Sequence, residues 1–353
     1  MNKLEEYLCE VFNKKYCCFT GSGTAAIYLI LKALNMQNKK VLFPNIACTS
    51  PVNAAVYAGY EVVFCDVNLE NYTIDIDSLR YMIEKYDVGI VVPIHIYGHK
   101  CDILPIKQLL EDNNIFIIED SAQTIEISNL DASIISFGHT KIFESEDGGG
   151  AILTNNKELM EKINLEKKLL PLKPDNINKL FDVYRNEYYS IVRENSNEKY
   201  IKLYNLQLKN KNTFLFHLEN NENIIKTINR YKDKVDLRLK KAQIYSKNLK
   251  NISKAKYMNE KTLWRYSFLY YGDRDMLIEE ARKNNIDISS WYIMLNKIYG
   301  INDDQFLKNS EIVERSIVNL WIDEIHDEEK ILRDVKILRY IMEEDELYEY
   351  KYD

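Results

Sequence analysis

Residues 88–120 read VGIVVPIHIYGHKCDILPIKQLLEDNNIFIIED. The opening run, Val88 to Ile94, is almost continuously apolar, which suits a strand buried on both faces. Ile103 to Leu110 carries a helical pattern. Ile115 to Ile118 is a second short strand that ends in Glu119 and Asp120. Strand, helix and strand in about thirty residues indicate a crossover between parallel strands.

The same alternation extends in both directions. Upstream, Thr24 to Leu34 is apolar and rich in helix formers. Val41 to Pro44 and Glu61 to Cys65 are strands. Ser50 to Ala58 is a helix, with Pro51 tolerated in its first turn. Ile76 to Lys85 is helical. Downstream, Ala132 to Ile135 and Ala151 to Thr154 are strands. A mostly parallel sheet flanked by helices is expected, an α/β fold with its ligand site outside the carboxyl ends of the strands.

The second half reads differently. Arg230 to Leu249 is a long helix, Leu263 to Tyr271 a strand, and Arg274 to Asn284 and Glu328 to Met342 are helices. Residues 170–222 are rich in asparagine and weakly periodic, a divergent segment of helical composition. The expected organisation is a large α/β domain over 1–230 and a smaller C-terminal α+β domain over 231–353.

Composition narrows the function classes. The chain has 353 residues and a net charge of −7, with 11 glycines and 6 prolines. That is too little Gly and Pro for a collagenous or Pro/Gly-rich disordered chain. Acidic balance disfavours nucleic acid as a partner. No apolar run reaches the ~18 residues of a membrane span, and the first ten residues lack a signal-peptide pattern. The six cysteines form no C-x-x-C pair, so reduced thiols and a cytoplasmic location are expected, with no metal site. Nine of the glycines fall in residues 1–150, so special backbone geometry is concentrated there.

Three motifs carry potential chemistry. Gly21-Ser22-Gly23-Thr24 leads into a helix whose exposed N–H groups favour an anion. It is neither a Walker loop nor a complete G-x-G-x-x-G, because Ala26 holds the last position. Asp120 ends a strand at the ligand edge, where it can cap a helix or face a cationic nitrogen. Lys141 lies in Ser136-Phe137-Gly138-His139-Thr140-Lys141, upstream of Gly148-Gly149-Gly150. A shielded lysine can form a Schiff base with a carbonyl. An anion-binding turn, a carboxylate and such a lysine together suit pyridoxal 5'-phosphate (PLP).

The chain resembles the DegT/DnrJ/StrS family of sugar aminotransferases, which share the fold type I architecture of PLP-dependent transferases. The resemblance is densest over 16–156. It rests on TGSGTAAIYLILKAL (20–34), GYEVVFCD (59–66), PIHIYGHKCDI (93–103), IIEDSAQ (117–123) and SFGHTKIFESEDGGGAILTNN (136–156). Weaker echoes are Arg238, Ala242, Tyr245, the strand LWRYSFLY (263–270) and Arg274-Asp275. The resemblance implies that Lys141 holds the cofactor and moves the proton, and that Asp120 pairs with the pyridine nitrogen. Gln123 would lie against the ring's 3-hydroxyl, and Gly23, Thr24 and Ser136 would hold the phosphate. Cys48 occupies the position of a ring-stacking side chain; a cofactor contact and a structural thiol both fit it. His95, His139, Arg265 and Trp291 are substrate-side candidates. For His95 a packing or hydrogen-bonding role comes before proton transfer, and for His139 loop packing comes before a ligand contact.

The implied activity transfers an amino group from an amino-acid donor, glutamate in the first instance, to a keto-sugar that is nucleotide-linked. A homodimer with active sites at the interface is implied as well. The alternatives are a sugar dehydratase, disfavoured because Lys141 is retained, and a non-catalytic binding protein on the same fold. The sequence departs from the family pattern in three places. Only about twenty residues precede the SGT motif, residues 170–222 replace the usual G-x-N-x-R segment, and Trp291-Tyr292 stands in place of a His-Tyr pair.

Overall fold

The computed structural model describes residues 1–36, 38–258, 261–300 and 306–349. Seven strands form the large sheet: β1 (Tyr16–Thr20), β2 (Lys40–Pro44), β3 (Val62–Cys65), β4 (Val88–Val91), β5 (Phe116–Asp120), β6 (Ala132–Ser136) and β7 (Gly150–Thr154). Their order across the sheet is β1-β7-β6-β5-β4-β2-β3. β3, β2, β4, β5 and β6 run parallel, and β7 is antiparallel to both neighbours. This is the fold type I transferase architecture expected from the sequence. The interior strands β4 and β6, and even the edge strand β3, are buried at every residue, because helices cover both faces.

The helices of this region are α1 (Lys3–Phe12), α2 (Gly23–Leu34), α3 (Thr49–Ala58), α4 (Ile76–Lys85), α5 (Ile103–Asp112) and α6 (Lys157–Lys167). α2 is buried along most of its length, with Ala25, Ala26, Leu29, Ile30 and Leu31 in the main core. Its small residues let it sit close beneath the sheet. Pro51 falls in the first turn of α3, as expected. β4 stops at Val91, short of the expected Ile94, because Pro93 has no N–H to continue the ladder.

Residues 170–222 fold into three helices: α7 (Ile177–Val192), α8 (Glu198–Lys209) and α9 (Lys211–Phe214). α10 (Asn223–Asn229) leads to α11 (Tyr231–Leu249). A second, antiparallel sheet follows, with β8 (Ala255–Lys256), β9 (Arg265–Tyr270), β10 (Ile288–Ser289) and β11 (Ile317–Trp321) in the order β10-β11-β9-β8. The remaining helices are α12 (Arg274–Lys283), α13 (Leu295–Tyr299), α14 (Lys308–Ser316) and α15 (Glu328–Glu349). α15 runs past the expected Met342. One apolar cluster, Ala242 to Met342, packs this sheet against α11, α12 and α15. Trp264, Leu269 and Met294 instead join the core of the large sheet, which ties the two halves together. Among the described residues no helix is long and apolar enough to cross a membrane.

Candidate active site

Strand register assembles the site. Asp120 of β5 pairs across from Ile134 of β6, Ser136 of β6 from Gly150 of β7, and Thr20 of β1 from Gly150. The carboxyl ends of β1, β5 and β6 therefore meet the start of β7 along one edge. Residues that follow these ends, 21–24, 121–123 and 137–141, emerge side by side. All of them except the buried Ser121 and Phe137 line a cavity of about 680 Å3, within the roughly 300–1,000 Å3 typical of ligand sites.

The glycines make this convergence possible. A Cβ on Gly150 would lie 2.5 Å from the Ser22 backbone, so the start of β7 and the turn before α2 can touch only without side chains. Gly148 and Gly149 adopt φ of +68° and +122°, which favours glycine. At Gly23 a Cβ would meet Ser136 Cβ at 3.2 Å. Gly21 lines the cavity too, and the space where its Cβ would be is filled by Phe216, whose carbonyl oxygen would sit 2.3 Å from an added Cβ.

Ser22 caps α2. Its hydroxyl accepts from Ala25 N–H and donates to the Phe214 carbonyl. The cap leaves the first turn of α2 at the cavity, where the helix's positive end favours an anion. Gly23, Thr24 and Ser136 all line this corner.

Asp120 is 4% exposed and accepts one hydrogen bond, from Ala122 N–H to Oδ1 at 2.9 Å. Burial raises its pKa, against the opposing effects of the Ala122 N–H and Lys141. Behind it Glu119 is fully buried and accepts from the Ser128 N–H, the Ser133 hydroxyl and His95 Nε2. Burial disfavours the Glu119 charge, yet the hydrogen bonds from His95 and the serine donors outweigh it, so its pKa is lowered. His95 Nδ1 accepts from Cys101 N–H, which leaves the proton on Nε2 for Glu119.

Lys141 is half-buried at the end of a loop held by Phe137 N–H to Gly149 O and Ser145 N–H to Phe137 O. Asn221 secures that loop through the Ser145 hydroxyl and the Gly148 carbonyl. The Lys141 amine lies 5.2 Å from the centroid of the Trp264 ring, and Trp264 Nε1 donates to the Thr140 carbonyl at 2.7 Å. Burial lowers the lysine's pKa, Asp120 and Cys48 oppose the shift, and Arg265 adds to it. Gln123 Oε1 accepts from Tyr97 N–H at 2.6 Å, which turns its amide nitrogen toward the Tyr292 hydroxyl at 3.5 Å.

Of the residues singled out in the sequence, Gly23, Thr24, Cys48, Asp120, Gln123, Ser136, His139, Lys141 and Trp291 line the one cavity. His139 is the most exposed of them and pairs with Glu144 at 2.6 Å. Cys48 caps α3 without a side-chain cap bond and donates to the Ser50 hydroxyl at 3.4 Å. Two substrate-side candidates lie elsewhere. His95 is 2% exposed, with both ring nitrogens engaged by protein groups. Arg265 is fully buried behind the wall, its guanidinium 4.5 Å from the ring centroids of both Trp264 and Trp321. β9 turns it away from the cavity, so neither side chain is a wall of the site.

Several lining residues escape the sequence reading: Trp264, Tyr292 and, from α7, Phe181, Tyr184, Tyr188 and Tyr189. Phe181, Tyr184 and Tyr188 recur at three- and four-residue spacing, a legible helix face. Nothing in that spacing tells a core face from a cavity wall.

The donor set fits PLP. A buried carboxylate, a half-buried lysine and a helix amino end beside a serine hydroxyl all border one space of sufficient volume. The family-wide sequence pattern of the DegT/DnrJ/EryC1/StrS aminotransferase family matches residues 1–336. The chain is 30% identical over 167 residues to the 3-oxo-glucose-6-phosphate:glutamate aminotransferase of Bacillus subtilis, an alignment covering 46% of this chain and 38% of that protein. It is 31% identical over 175 residues to a UDP-4-amino-4,6-dideoxy-N-acetyl-beta-L-altrosamine transaminase of Campylobacter jejuni, covering 47% and 46%. The matched region thus spans less than half the length of these curated relatives. Among solved structures, a DegT DnrJ EryC1 StrS aminotransferase from Brucella abortus superposes with a TM-score of 0.74 at 18% identity, covering 96% of this chain and 89% of that one. The ntda structure from Bacillus subtilis, with bound cofactor PMP, gives 0.73 at 19% identity, covering 97% and 76%.

Proposed function

The chain belongs to the DegT/DnrJ/EryC1/StrS aminotransferase family, and we propose that it is a PLP-dependent aminotransferase acting on a keto-sugar. The donor is an amino acid, glutamate in the first instance, and the acceptor is nucleotide-linked, destined for surface polysaccharide or a specialised sugar. The observation that carries this reading is that Lys141, Asp120 and the amino end of α2 border one cavity.

PLP, when bound, supplies an electron sink that lets a proton leave the carbon bearing the amino group. The residues divide the remaining work. Asp120 is a buried carboxylate without a cationic hydrogen-bond partner among the described residues. Such a charge is costly alone, and a protonated ring nitrogen beside it restores the balance. Glu119, held charged by His95 and two serines, anchors the strand end that presents Asp120. Lys141's lowered pKa enlarges the neutral fraction of its amine, the form able to accept and return a proton. The first-turn amides of α2 and the Ser136 hydroxyl suit a phosphate, and Gln123 offers its amide to a ring hydroxyl.

Residues 1–230 form the cofactor-binding domain in this reading and 231–353 the smaller one. The protein acts in the cytoplasm as a homodimer, which light scattering tests by showing twice the 41.7 kDa chain mass. The activity is tested by adding glutamate to the PLP-loaded protein and measuring 2-oxoglutarate by mass spectrometry. One equivalent per loaded site is expected without any acceptor. Failure of every common amino acid to release its 2-oxo acid would refute the reading.

A further inference from the structure

α7 takes no part in the cofactor chemistry, yet it forms a side of the same cavity. Ile177, Phe181, Tyr184 and Tyr188 recur on one helix face, and Arg185 and Tyr189 flank it; all six line the space that Lys141 borders. Their rings form a continuous surface. Phe181 and Tyr184 lie 6.2 Å apart, Tyr184 and Tyr188 6.1 Å, and Tyr188 and Tyr189 5.5 Å between centroids.

The placement of this surface is fixed by a buried polar hub. Gln207 of α8 is 1% exposed. Its Oε1 accepts from the Tyr184 hydroxyl at 2.9 Å and from Asn53 Nδ2 at 2.8 Å, while its carbonyl accepts from the Tyr57 hydroxyl at 2.6 Å. Asn53 and Tyr57 belong to α3, which begins at the cavity with Cys48. α7 and α8 are therefore bolted to the cofactor half rather than laid loosely across it, and Phe214 of α9 packs edge-on against Tyr184 at 4.9 Å.

Charge around the cavity is uneven. Lys173 is engaged by Asp147, and Lys141 lies over Trp264. Arg185 is the one arginine in the lining among the described residues. Its partner is the exposed Asp182 at 2.9 Å, a surface pair of the kind that contributes little and exchanges readily. Aromatic faces with one accessible guanidinium suit a sugar ring that carries a phosphate, since arginine matches phosphate oxygens in bidentate fashion.

We propose that α7 is the acceptor-reading wall of the site: the keto-sugar ring packs on Tyr188 and Tyr189, and Arg185 holds the acceptor's phosphate. The inference rests on the aminotransferase reading. The phosphate belongs either to a sugar monophosphate or to a nucleotide diphosphate, and the two sources are separable. A single chain supplies this wall to its own cavity.

The test is calorimetric titration of the PLP-loaded protein with glucose 6-phosphate, UDP-glucose and free glucose, in the wild type and in Arg185→Gln and Tyr188→Leu. One phosphate-bearing probe binds the wild type, free glucose at the same concentration does not, and both variants weaken that binding at least tenfold. The probe that binds identifies the phosphate source. Arg185 is exposed, so its variant reports on the contact without disturbing packing, and a melting curve screens Tyr188→Leu for misfolding. Binding of neither phosphate probe, or binding that Arg185→Gln leaves unchanged, overturns the inference. Glutamate-dependent release of 2-oxoglutarate is measured on the same preparations. If it occurs while the probes ignore α7, only this inference fails; if the wild type releases none, the aminotransferase reading fails first.

Discussion

The two sides of the cavity are built differently. On the sheet side, strand pairing sets Asp120 opposite Ile134 and Ser136 opposite Gly150, so backbone hydrogen bonds place the functional groups before any side chain is chosen. On the α7 side, Tyr184, Tyr188 and Arg185 depend on a helix that no strand fixes. That helix is located by apolar packing and by the Gln207 hub. The sheet side is thus a rigid frame for chemistry, and the α7 side is an exchangeable surface for recognition. Rigid positioning is what a reacting centre requires, whereas a specificity wall needs only the right faces at the right height.

The comparison makes unequal predictions. Lys141→Ala removes the one group able to shuttle the proton, and a loss of at least ~10^3-fold in 2-oxoglutarate release is expected from a fully folded protein. Asp120→Asn keeps the shape and removes the charge that faces the ring nitrogen, so the same assay should fall about 10^2-fold. A rate within twofold of wild type for either variant would break the division, because the frame would then not carry the chemistry.

Gln207→Ala addresses the other side. It leaves the Tyr184 hydroxyl and Asn53 amide buried without their acceptor, at a cost of about 1–3 kcal/mol read by urea unfolding. Hydrogen exchange should rise in α7 and α8 while β5 and β6 stay protected. Uniform loss of protection would show that the two sides are one cooperative unit.

The smallest effect concerns pH. Burial raises the pKa of Asp120 in the cofactor-free protein, so the folded state holds its proton more tightly than the unfolded one. Stability from the protonated form is complete below the unfolded value near 3.9 and is lost as pH rises through the folded one. Asp120→Asn, which mimics the neutral form, should melt above wild type near neutrality, with the gap closing as pH falls through the carboxylate range. Added PLP should reverse the order. A pH-independent difference would remove the argument that the lone charge awaits a cation.

Legibility follows the same division. The βαβ unit at 88–120, the turn at 21–24 and the loop bearing Lys141 were readable because strand burial, glycine and helix caps leave local marks. The α1 capping box, in which Asn2 and Glu5 bond reciprocally, carries such a mark in its Asn-x-x-Glu spacing. Glu5 also accepts from Phe19 N–H, a contact no local pattern encodes. The cavity role of α7 was not readable for a deeper reason. Phe181, Tyr184 and Tyr188 have the spacing of any amphipathic helix, and only packing decides whether that face meets a core or an open space. Two substrate-side candidates lie off the cavity: Arg265 sits between Trp264 and Trp321, whereas His95, bonded to Glu119 and Cys101, takes the hydrogen-bonding role that its sequence context put first.

The most direct measurement of the central claim is borohydride reduction of the PLP-loaded protein followed by peptide mass mapping. The account predicts one covalent cofactor adduct per chain, located on Lys141 and absent from Lys141→Ala. An adduct on another lysine, or none on a protein that binds PLP, would contradict it.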